Sequence, residues 1–466
     1  MPLSILNGDV GRTAKTVATK DKVPIKNAIQ VYMRQCIILG AGITGLAAAY
    51  ASGHPVYEAR SNPGGICSSY YMVPGGAERL PQRPVDQKVY RFEIGGGHWI
   101  FGGDPAVTRF IDALTPLKAY RRHSAVYLPR RDQYVPYPLQ NHLNHLDDTI
   151  TARALTDMLS ASAASASTME GWLRGHFGDA LCELFFAPFH ERYTAGLWRE
   201  IAPQDPYKSP MQVEDVVTGA FGEGDDVGYN VEFRYPKDGL DALMRALAAR
   251  CTVHYDKRVV GIDPDAKTVR FEDGTQAAYE VLLSTLPLNR MMNLCRLSAE
   301  SRPDPHTSVL VLNVGAIKGD ACPDQHWIYV ADSESGFHRV GFYSNVDSSF
   351  LPNGDASNRV SIYVERAYHG DEQPPSEDAM AAYTDQVIEE LKAWGYIESV
   401  EVVDPTWIDV AYTWAWPESD WRRQALRILD EQDILMVGRY GRWTFQGIAD
   451  SLRDGLFVGN TVREKQ

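Results

Sequence analysis

The sequence predicts an α/β protein in which a Rossmann-like dinucleotide-binding domain is combined with a helical domain and with a second domain built on an antiparallel sheet. Three observations support this prediction. An apolar run at residues 35–39 ends in glycine and indicates a buried parallel strand. The small residues at 42–52 indicate a closely packed helix, and residues 55–59 indicate the next strand. A strand, a helix and a strand joined by a tight glycine turn form a dinucleotide-binding unit.

The size and charge of the chain limit what it can bind. It has 466 residues, of which 44% are hydrophobic and 23% charged, an ordinary globular composition. The 60 acidic and 46 basic residues give a net charge of -14, which repels nucleic acid and anionic membranes. We therefore expect no nucleic-acid partner and no membrane partner. An anionic small substrate would need a local cluster of arginine or lysine.

The cysteines and the start of the chain predict a cellular location. The six cysteines are scattered without a CxxC pair, so we expect reduced thiols and no metal site. Residues 1–33 are polar and lack the apolar core of a signal peptide. No apolar stretch is long enough to span a bilayer. These features predict a cytoplasmic protein with an N-terminal extension.

The rest of the chain predicts that the dinucleotide-binding domain is discontinuous. Residues 281–285 indicate another buried strand, and the chain ends with a strand, a Gly-Arg turn and a helix from about Asp450. The predicted units are the extension (1–33), the dinucleotide-binding domain (34–103, 228–290 and 428–466), a mainly helical substrate or cap domain (104–227) and a sheet-containing substrate domain (291–427).

The glycine spacing between the first strand and helix has a specific physical purpose. Gly40 permits the sharp turn, Gly42 lets the backbone approach a pyrophosphate, and Gly45 lets helix and strand pack closely. The helix N-terminus offers free N–H groups and a partial positive charge to the phosphates. Glu58 ends the second strand, 18 residues after Gly40, where its carboxylate can accept hydrogen bonds from the ribose hydroxyls.

The run Asn-Pro-Gly-Gly at residues 62–65 favours FAD over NAD. It is typical of FAD enzymes of the glutathione-reductase-like type, and Gly64 and Gly65 allow close backbone approach. Ser68 offers a hydroxyl for phosphate, and Val259 fits the position that contacts adenine. The FAD-binding residues predicted in this part of the site are Gly40, Gly42, Ile43, Thr44, Gly45, Glu58, Ala59, Arg60, Gly64, Gly65, Ile66, Cys67, Ser68 and Val259.

Further segments carry a resemblance to a known family. They are Gly-Gly-His-Trp-Ile-Phe at 96–101, Val-Pro-Tyr-Pro-Leu-Gln-Asn at 135–141, Phe-Arg-Tyr-Pro at 233–236, Ser-Thr-Leu-Pro at 284–287 and Gly-Arg-Tyr-Gly-Arg-Trp at 438–443. With these segments the chain resembles the UDP-galactopyranose mutases, especially the eukaryotic type, within the amine oxidase and protoporphyrinogen oxidase superfamily. The resemblance covers residues 34–462.

The resemblance implies a redox-neutral reaction on a nucleotide sugar. These mutases interconvert pyranose and furanose rings. Reduced FAD attacks the anomeric carbon through N5 and the nucleoside diphosphate leaves. NAD(P)H is a possible reductant, and a homo-oligomer would fit the family.

The resemblance also implies roles for particular residues. His98 would lie against the flavin near N5, and Arg439 would hold the diphosphate with its planar guanidinium. The final helix would direct its positive N-terminal dipole at the reduced flavin. The further FAD contacts implied are Gly97, His98, Gly438, Gly447, Ile448, Ala449 and Ser451. The substrate contacts implied are Tyr137, Gln140, Asn141, Lys318, Tyr329, Trp416, Arg439 and Phe445.

Several positions depart from the family pattern. Lys318 stands where the eukaryotic type has a second diphosphate arginine, and a lysine lacks the guanidinium fork. Trp416 and Phe445 replace tyrosines and cannot donate a hydroxyl hydrogen bond to phosphate. Five tryptophans lie between residues 407 and 443, which indicates either a well-packed domain or an aromatic pocket for a larger, less polar substrate.

Two other functions stay open at this point. The first is an FAD-dependent oxidoreductase that is similar to amine oxidases or protoporphyrinogen oxidases and acts by hydride transfer. Its turnover would consume oxygen or another acceptor. The second is a non-catalytic FAD-containing binding protein.

Overall fold

A computed structural model describes residues 35–86, 88–160, 166–203, 212–222, 224 and 231–463. The predicted N-terminal extension lies outside the described residues. The strands are β1 (Cys36–Leu39), β2 (Val56–Tyr57), β3 (Ser69–Met72), β4 (Tyr90–Glu93), β5 (Ile100–Phe101), β6 (Leu117–Arg121), β7 (Ser124–Leu128), β8 (Gln133–Pro136), β9 (Glu232–Pro236), β10 (Val253–His254), β11 (Val259–Asp263), β12 (Thr268–Phe271), β13 (Gln276–Ala278), β14 (Val281–Ser284), β15 (His306–Lys318), β16 (Trp327–Val330), β17 (Arg339–Phe342), β18 (Arg359–His369), β19 (Ile397–Thr413) and β20 (Ile434–Met436). The α-helices are α1 (Ile43–Ser52), α2 (Pro105–Leu114), α3 (Asp148–Ser160), α4 (Met169–Leu181), α5 (Ala187–Tyr193), α6 (Val213–Phe221), α7 (Leu240–Ala248), α8 (Leu288–Leu294), α9 (Tyr343–Val346), α10 (Glu377–Ala393), α11 (Trp421–Asp430), α12 (Gly438–Gly441) and α13 (Ile448–Thr461).

A parallel sheet brings together strands that are far apart in the sequence. Its order is β10-β2-β1-β14-β20, and every neighbouring pair is parallel. The strands are short and apolar, as expected for a sheet covered on both faces. The carboxyl ends of β1, β2 and β14 meet at one edge, so Gly40, Glu58 and Thr285 follow neighbouring strands there.

A seven-stranded sheet, in the order β19-β15-β18-β17-β16-β7-β8, forms the second large layer. It is antiparallel except for one parallel pair, β16 with β7. The strands β15 and β18 pair over eleven register positions. The fold is therefore α/β with several sheets, as predicted. No helix in the described ranges is long and apolar enough to cross a bilayer.

The segment 104–227 differs from the mainly helical prediction in its first third. Residues 117–136 form β6, β7 and β8. The last two extend the seven-stranded sheet, where Val126 and Val135 are fully buried. These strands are four or five residues long and their burial does not alternate, so the sequence pattern alone does not separate them from short helical segments. The helices α3 to α5 then share one apolar core with this edge of the sheet.

Candidate active site

One cavity of about 600 Å³ extends from the edge of the parallel sheet to the helical layer and the seven-stranded sheet. Three groups of residues line it. The first surrounds the turn between β1 and α1, the second comprises the loops at 64–67 and 94–99 together with the start of α13, and the third is aromatic. We call these the turn end, the middle and the aromatic end of the cavity.

The turn end has the geometry of a dinucleotide cradle. Gly40 lies in the left-handed region at φ +90°, and a Cβ on Gly45 would fall 1.9 Å from the Gly40 carbonyl oxygen. The N-terminus of α1 has no side-chain cap and no acidic residue in its first turn, so its N–H groups are available to an anion. Glu58 accepts from the Ala41 N–H at 2.7 Å and from the Arg60 N–H at 3.0 Å.

Glu58 can still accept hydrogen bonds from a ribose, because an ionised carboxylate has about four acceptor sites.

The 64–67 loop is held beside this turn. The Gly64 N–H donates to the Ala41 carbonyl at 2.8 Å, and Gly42 and Gly64 form an isolated parallel bridge. A bulkier residue at position 64 would clash with Met244 and with Ser68. The cradle therefore fits an adenosine diphosphate group.

Cys67 lies in the middle of the cavity as a neutral thiol. Burial, together with nearby Glu93, raises the pKa of Cys67 to about 12. A thiol that stays protonated at neutral pH is a poor nucleophile. Cys67 thus contributes packing and shape to the cavity, and thiolate chemistry there is disfavoured.

His98 is neutral at physiological pH. Burial lowers the pKa of His98 to about 4, and the positive charge of Arg439 adds to the effect. Its Nδ1 lies 3.4 Å from the Gly96 carbonyl oxygen. The preceding backbone has no freedom to carry a side chain, since a Cβ on Gly97 would lie 2.1 Å from the Tyr363 hydroxyl. The loop therefore presents an uncharged imidazole to the cavity.

The C-terminal segment closes the middle of the cavity. Gly438 is at φ +78°, and a Cβ there would meet the Thr44 hydroxyl at 2.6 Å. Arg439 donates to the carbonyl oxygens of Gln446 and Ala411, both at 3.2 Å. Its guanidinium carbon lies 4.7 Å from the centre of the Phe445 ring. The start of α13 at Gly447 has no side-chain cap, so a second helix N-terminus faces this space.

Aromatic rings dominate the far end of the cavity. The Tyr137 and Tyr329 rings are 4.7 Å apart, and Phe189 meets Tyr329 edge-on at 5.7 Å. The rings at this end come from the helical segment that runs from α4 through α5, from the residue after β8, from β16 and β19, and from the turn between α12 and α13. The aromatic side chains lining this end are Tyr137, Trp172, Phe185, Phe186, Phe189, Tyr193, Tyr329, Tyr412 and Phe445.

A buried ion pair that the sequence analysis did not identify lies at the aromatic end. Arg339 binds both carboxylate oxygens of Glu365. Burial alone would raise the pKa of Glu365, but Arg339 and His338 outweigh it and bring the pKa to about 2. Burial also lowers the pKa of His338. The pair is therefore ionised and nearly neutral overall, with an uncharged histidine beside it.

Tyr412 is close to two of the arginines that line the cavity, Arg339 and Arg439. Its hydroxyl is 3.5 Å from Arg339 Nη2, and the Arg439 guanidinium carbon is 5.7 Å from its ring centre. Burial raises the pKa of Tyr412 to about 12, so the hydroxyl remains a donor. Within the described residues, Nε of both arginines is buried without a hydrogen-bond partner. Two guanidinium groups and a phenol thus converge on one region.

Most of the predicted site residues lie on this cavity. Those that line it are Gly40, Gly42, Ile43, Thr44, Glu58, Arg60, Gly64, Gly65, Ile66, Cys67, Gly97, His98, Tyr137, Tyr329, Gly438, Arg439, Phe445, Gly447, Ile448 and Ser451. Four predicted residues do not line it, although each is next in the chain to a residue that does: Gly45, Ala59, Ser68 and Ala449. Val259 lines a neighbouring cleft instead.

Lys318 does not reach the cavity. The cavity residue on β15 is Val309, and Lys318 follows nine residues later at the other end of the strand, where it pairs with Ile397. At about 3.3 Å per residue this is a separation of about 30 Å. Arg339, and not Lys318, lies near Arg439 on the cavity. The signal that could have revealed this pair is Glu365, a charged residue inside the apolar strand β18.

Trp416, Gln140 and Asn141 also lie off the cavity. The Trp416 indole donates to the Pro303 carbonyl at 2.9 Å and stacks under Arg302. Gln140 and Asn141 are almost fully buried in a 3-10 turn beneath α6, where a Cβ on Gly219 would fall 1.8 Å from the Asn141 carbonyl oxygen. Gln140 and Asn141 therefore contribute to the packing of the helical layer.

The chain is similar to one protein family and to several solved structures. The model of the family "Flavin containing amine oxidoreductase" matches residues 43–413. A reduced UDP-galactopyranose mutase is similar at 20% identity and a TM-score of 0.77, over 92% of this chain and 95% of that one. A putrescine oxidase double mutant is 16% identical with a TM-score of 0.55, over 92% and 98% of the chains. A fatty acid isomerase of P. acnes that produces CLA is 14% identical with a TM-score of 0.54, over 91% and 98%.

Proposed function

This chain belongs to the family of flavin-containing amine oxidoreductases, and on that premise we propose that it is a flavin-dependent mutase that interconverts the pyranose and furanose forms of a nucleotide sugar. The family match implies FAD as the cofactor. The likeness to a mutase and to an oxidase at 20% identity and below establishes the shared fold. The choice of reaction therefore depends on the residues of the cavity.

The turn end and the middle of the cavity fit FAD. The proposed contacts are the uncapped N-terminus of α1 with the pyrophosphate, Glu58 with the adenosine ribose, and the uncapped N-terminus of α13 with the flavin pyrimidine. Reduced FAD bound in this way supplies a nucleophilic ring nitrogen. The helix dipole at Gly447 favours negative charge on the ring system, which suits the reduced state.

The convergence of two guanidinium groups and a tyrosine carries the proposal. Arg439 and Arg339 both lie close to Tyr412. Guanidinium groups bind phosphate oxygens through paired N–H donors, and a diphosphate offers two sets of such oxygens. Held in this way, a nucleoside diphosphate would be stabilised as it leaves the anomeric carbon. Tyr329 also lines the cavity and would offer a further hydroxyl to the diphosphate.

His98 has a positioning role in this proposal. Because its pKa is lowered to about 4, the imidazole is uncharged near pH 7 and does not add to the positive charge of the arginines. A neutral ring can donate from one nitrogen and accept at the other. It can therefore hold a flavin or sugar group by hydrogen bonds and leave the diphosphate to Arg439.

The aromatic end favours a second candidate, an oxidoreductase that acts on an apolar substrate. Glu365 neutralises much of the charge of Arg339, which weakens its attraction for a diphosphate. Rings from Phe185, Phe189 and Tyr193 face the same space. Such a pocket binds flat, apolar groups well. In this alternative, turnover consumes oxygen or another acceptor.

The two functions differ in what the reaction consumes. The FAD-loaded protein would be reduced with dithionite under argon and incubated with UDP-, GDP- and ADP-linked hexoses, with the sugar ring form followed by NMR. Conversion between pyranose and furanose without net oxidation supports the mutase. Absence of conversion with every sugar, together with flavin reduction by an amine or an apolar substrate, would overturn it in favour of the oxidoreductase.

Substitution of Arg439 tests whether the mutase reaction takes place in this cavity. Arg439→Lys keeps the charge but loses the paired donors, so the mutase reaction should slow by about 10²–10³-fold. Arg423→Lys is the matched control, since this side chain is 83% exposed on α11 and should leave the rate unchanged. FAD content is measured in both variants, because only a slow enzyme with full FAD content supports the role of Arg439.

A further inference from the structure

A second cleft, separate from the cofactor cradle, is lined mainly by basic and amide side chains. It has a volume of about 550 Å³ and lies between the strand β11, the helix α8 and the start of β15. Four arginines line it, and among its described lining residues Asp409 is the one carboxylate. We call this the basic cleft, and its arginines are Arg258, Arg270, Arg290 and Arg296. Such a concentration is unusual on a chain with a net charge of -14.

Two of these arginines have no acidic partner in the described ranges. Arg290 pairs with Asp409 at 3.0 Å, and Arg258 lies 3.6 Å from Glu272. Arg270 and Arg296 form no ion pair within the part of the chain that the structure describes. The cleft thus keeps a net positive charge after its internal pairs are counted. An anion bound among these four exposed arginines would reduce the electrostatic repulsion between them.

Local backbone geometry is unusual at two positions around the cleft. The pairing of β11 with β12 shifts at a bulge between Val259 and Gly261. A Cβ on Gly261 would fall 2.6 Å from Arg270 Nη2, so the absence of a side chain there lets this guanidinium lie across the strand. Arg296 sits just after α8 at φ +56°, an uncommon conformation for a residue other than glycine. Bulges of this kind often redirect a side chain towards a site.

The other residues of the basic cleft suit a group that is flat and partly polar. Asn289 and Asn293 project from α8 and carry side-chain amides, while Val259 and Leu294 give apolar surface. Val260, at the bulge, is 52% exposed. A side-chain amide can form paired hydrogen bonds with a purine edge, and apolar side chains cover its faces.

We propose that the basic cleft binds a nucleoside polyphosphate, with the phosphate chain held by Arg270 and Arg296 and the base placed against α8. Guanidinium forks match phosphate oxygens in geometry as well as charge. The site is distinct from the FAD cradle but borders the main cavity, because Arg290, Asp409 and Val410 line both. A ligand in the basic cleft therefore sits next to the wall of the main cavity.

The test uses the FAD-saturated protein and isothermal titration calorimetry. ATP is the main probe, tripolyphosphate tests the phosphate chain without a base, and citrate tests an organic polyanion. Arg270→Gln combined with Arg296→Gln should weaken ATP binding by about 100-fold, since each charge-assisted contact contributes roughly a factor of ten. Arg423→Gln combined with Arg427→Gln, on the exposed face of α11, is the control and should bind ATP like the unaltered protein.

The variant Arg439→Gln separates the two sites. ATP binding that survives Arg439→Gln but not the Arg270/Arg296 double change supports the basic cleft. If Arg439→Gln abolishes ATP binding instead, the ATP binds in the main cavity and the proposal is overturned. It is also overturned if ATP does not bind at millimolar concentration, if citrate binds more tightly than ATP, or if tripolyphosphate binds as tightly as ATP and no base is therefore recognised. Unchanged FAD content and melting temperature show that the double variant is folded.

Discussion

At the scale of single residues, burial determines the charge of the side chains around the cavity. His98 and Cys67 are kept neutral, with pKa values of about 4 and about 12. Glu365 stays ionised because Arg339 lies beside it, with a pKa of about 2. Glu93 behaves oppositely, and burial raises its pKa to about 8 even though it accepts hydrogen bonds from neighbouring hydroxyls. Two buried glutamates on this side of the protein therefore hold different charges at neutral pH.

Glu93 should make stability depend on pH in the neutral range. Between the ordinary pKa of 4.5 and the folded value of about 8, the native protein holds a proton that the unfolded chain has released. Stability that is fully present below pH 4.5 is therefore lost as the pH rises through 8. Glu93→Gln removes this loss, so the variant should gain on the order of 2–4 kcal/mol relative to the unaltered protein between pH 5 and pH 8.

Urea unfolding at a series of pH values measures this difference. Glu398→Gln, at an exposed position of β19, serves as the control and should show a pH-independent difference. A constant difference for Glu93→Gln as well would show that Glu93 is ionised in the folded protein at pH 6 to 8.

At the scale of elements, close packing of two helices joins the ends of the dinucleotide-binding layer. The helices α1 and α13 meet through glycines. A Cβ on Gly455 would fall 2.2 Å from the Thr44 carbonyl oxygen, and one on Gly459 would fall 2.5 Å from the Ala48 carbonyl oxygen. Since Thr44 belongs to the first turn of α1, this contact also fixes the N-terminus that faces the cavity. The C-terminal helix therefore supports the site as well as the fold.

Gly455→Ala should destabilise the protein even though alanine favours helix. The gain in helix propensity is about 1 kcal/mol. The added methyl group would also lie 2.8 Å from the Ala47 Cβ, so the helices must separate, which costs about 1–3 kcal/mol and strains the α1 turn. We expect a net loss in chemical denaturation and weaker FAD retention. Phe457→Ala, at a position 69% exposed on the same helix, should change stability by about 0.5 kcal/mol or less. Equal stability of Gly455→Ala and the unaltered protein would contradict this packing.

At the scale of the whole molecule, the cavity collects residues from nearly the full length of the described chain. The lining begins at Gly40 and ends at Ser451. The parallel sheet itself joins β1 and β2 to β14 and β20, which come hundreds of residues later. A cofactor that contacts all of these segments binds the folded chain and has no equivalent site on the unfolded one.

FAD should therefore stabilise the protein by mass action. At a free FAD concentration of about 100 Kd, the expected gain in the free energy of unfolding is about 2.7 kcal/mol. Thermal melting of flavin-stripped protein across an FAD series measures it, and the midpoint should rise with the logarithm of FAD concentration. Glu58→Ala should need more FAD for the same rise. A melting midpoint that does not change with FAD concentration would contradict the assignment of this cavity as the FAD site.

The sequence was most informative where the chemistry is local. The glycines at 40, 42 and 45, with Glu58 and the run at 62–65, predicted a turn that the structure places on one cavity. The positions of these residues relative to one another follow from the sequence, because a strand, a tight turn and a helix leave the backbone little conformational freedom. The family resemblance predicted His98 and Arg439 as site residues, and both line the same cavity. Each belongs to a short motif that contains glycine.

By itself, the sequence determined the α/β class and the local cradle for the dinucleotide. Tertiary structure decided which distant side chains complete the cavity. Lys318 was predicted to lie there, yet β15 carries it about 30 Å away from the cavity residue Val309, while β17 places Arg339 beside Glu365. The reason is physical. The register between strands and the direction in which each strand leaves the site are set by pairing and packing across the sheet, and these are interactions between residues that the linear order does not bring together.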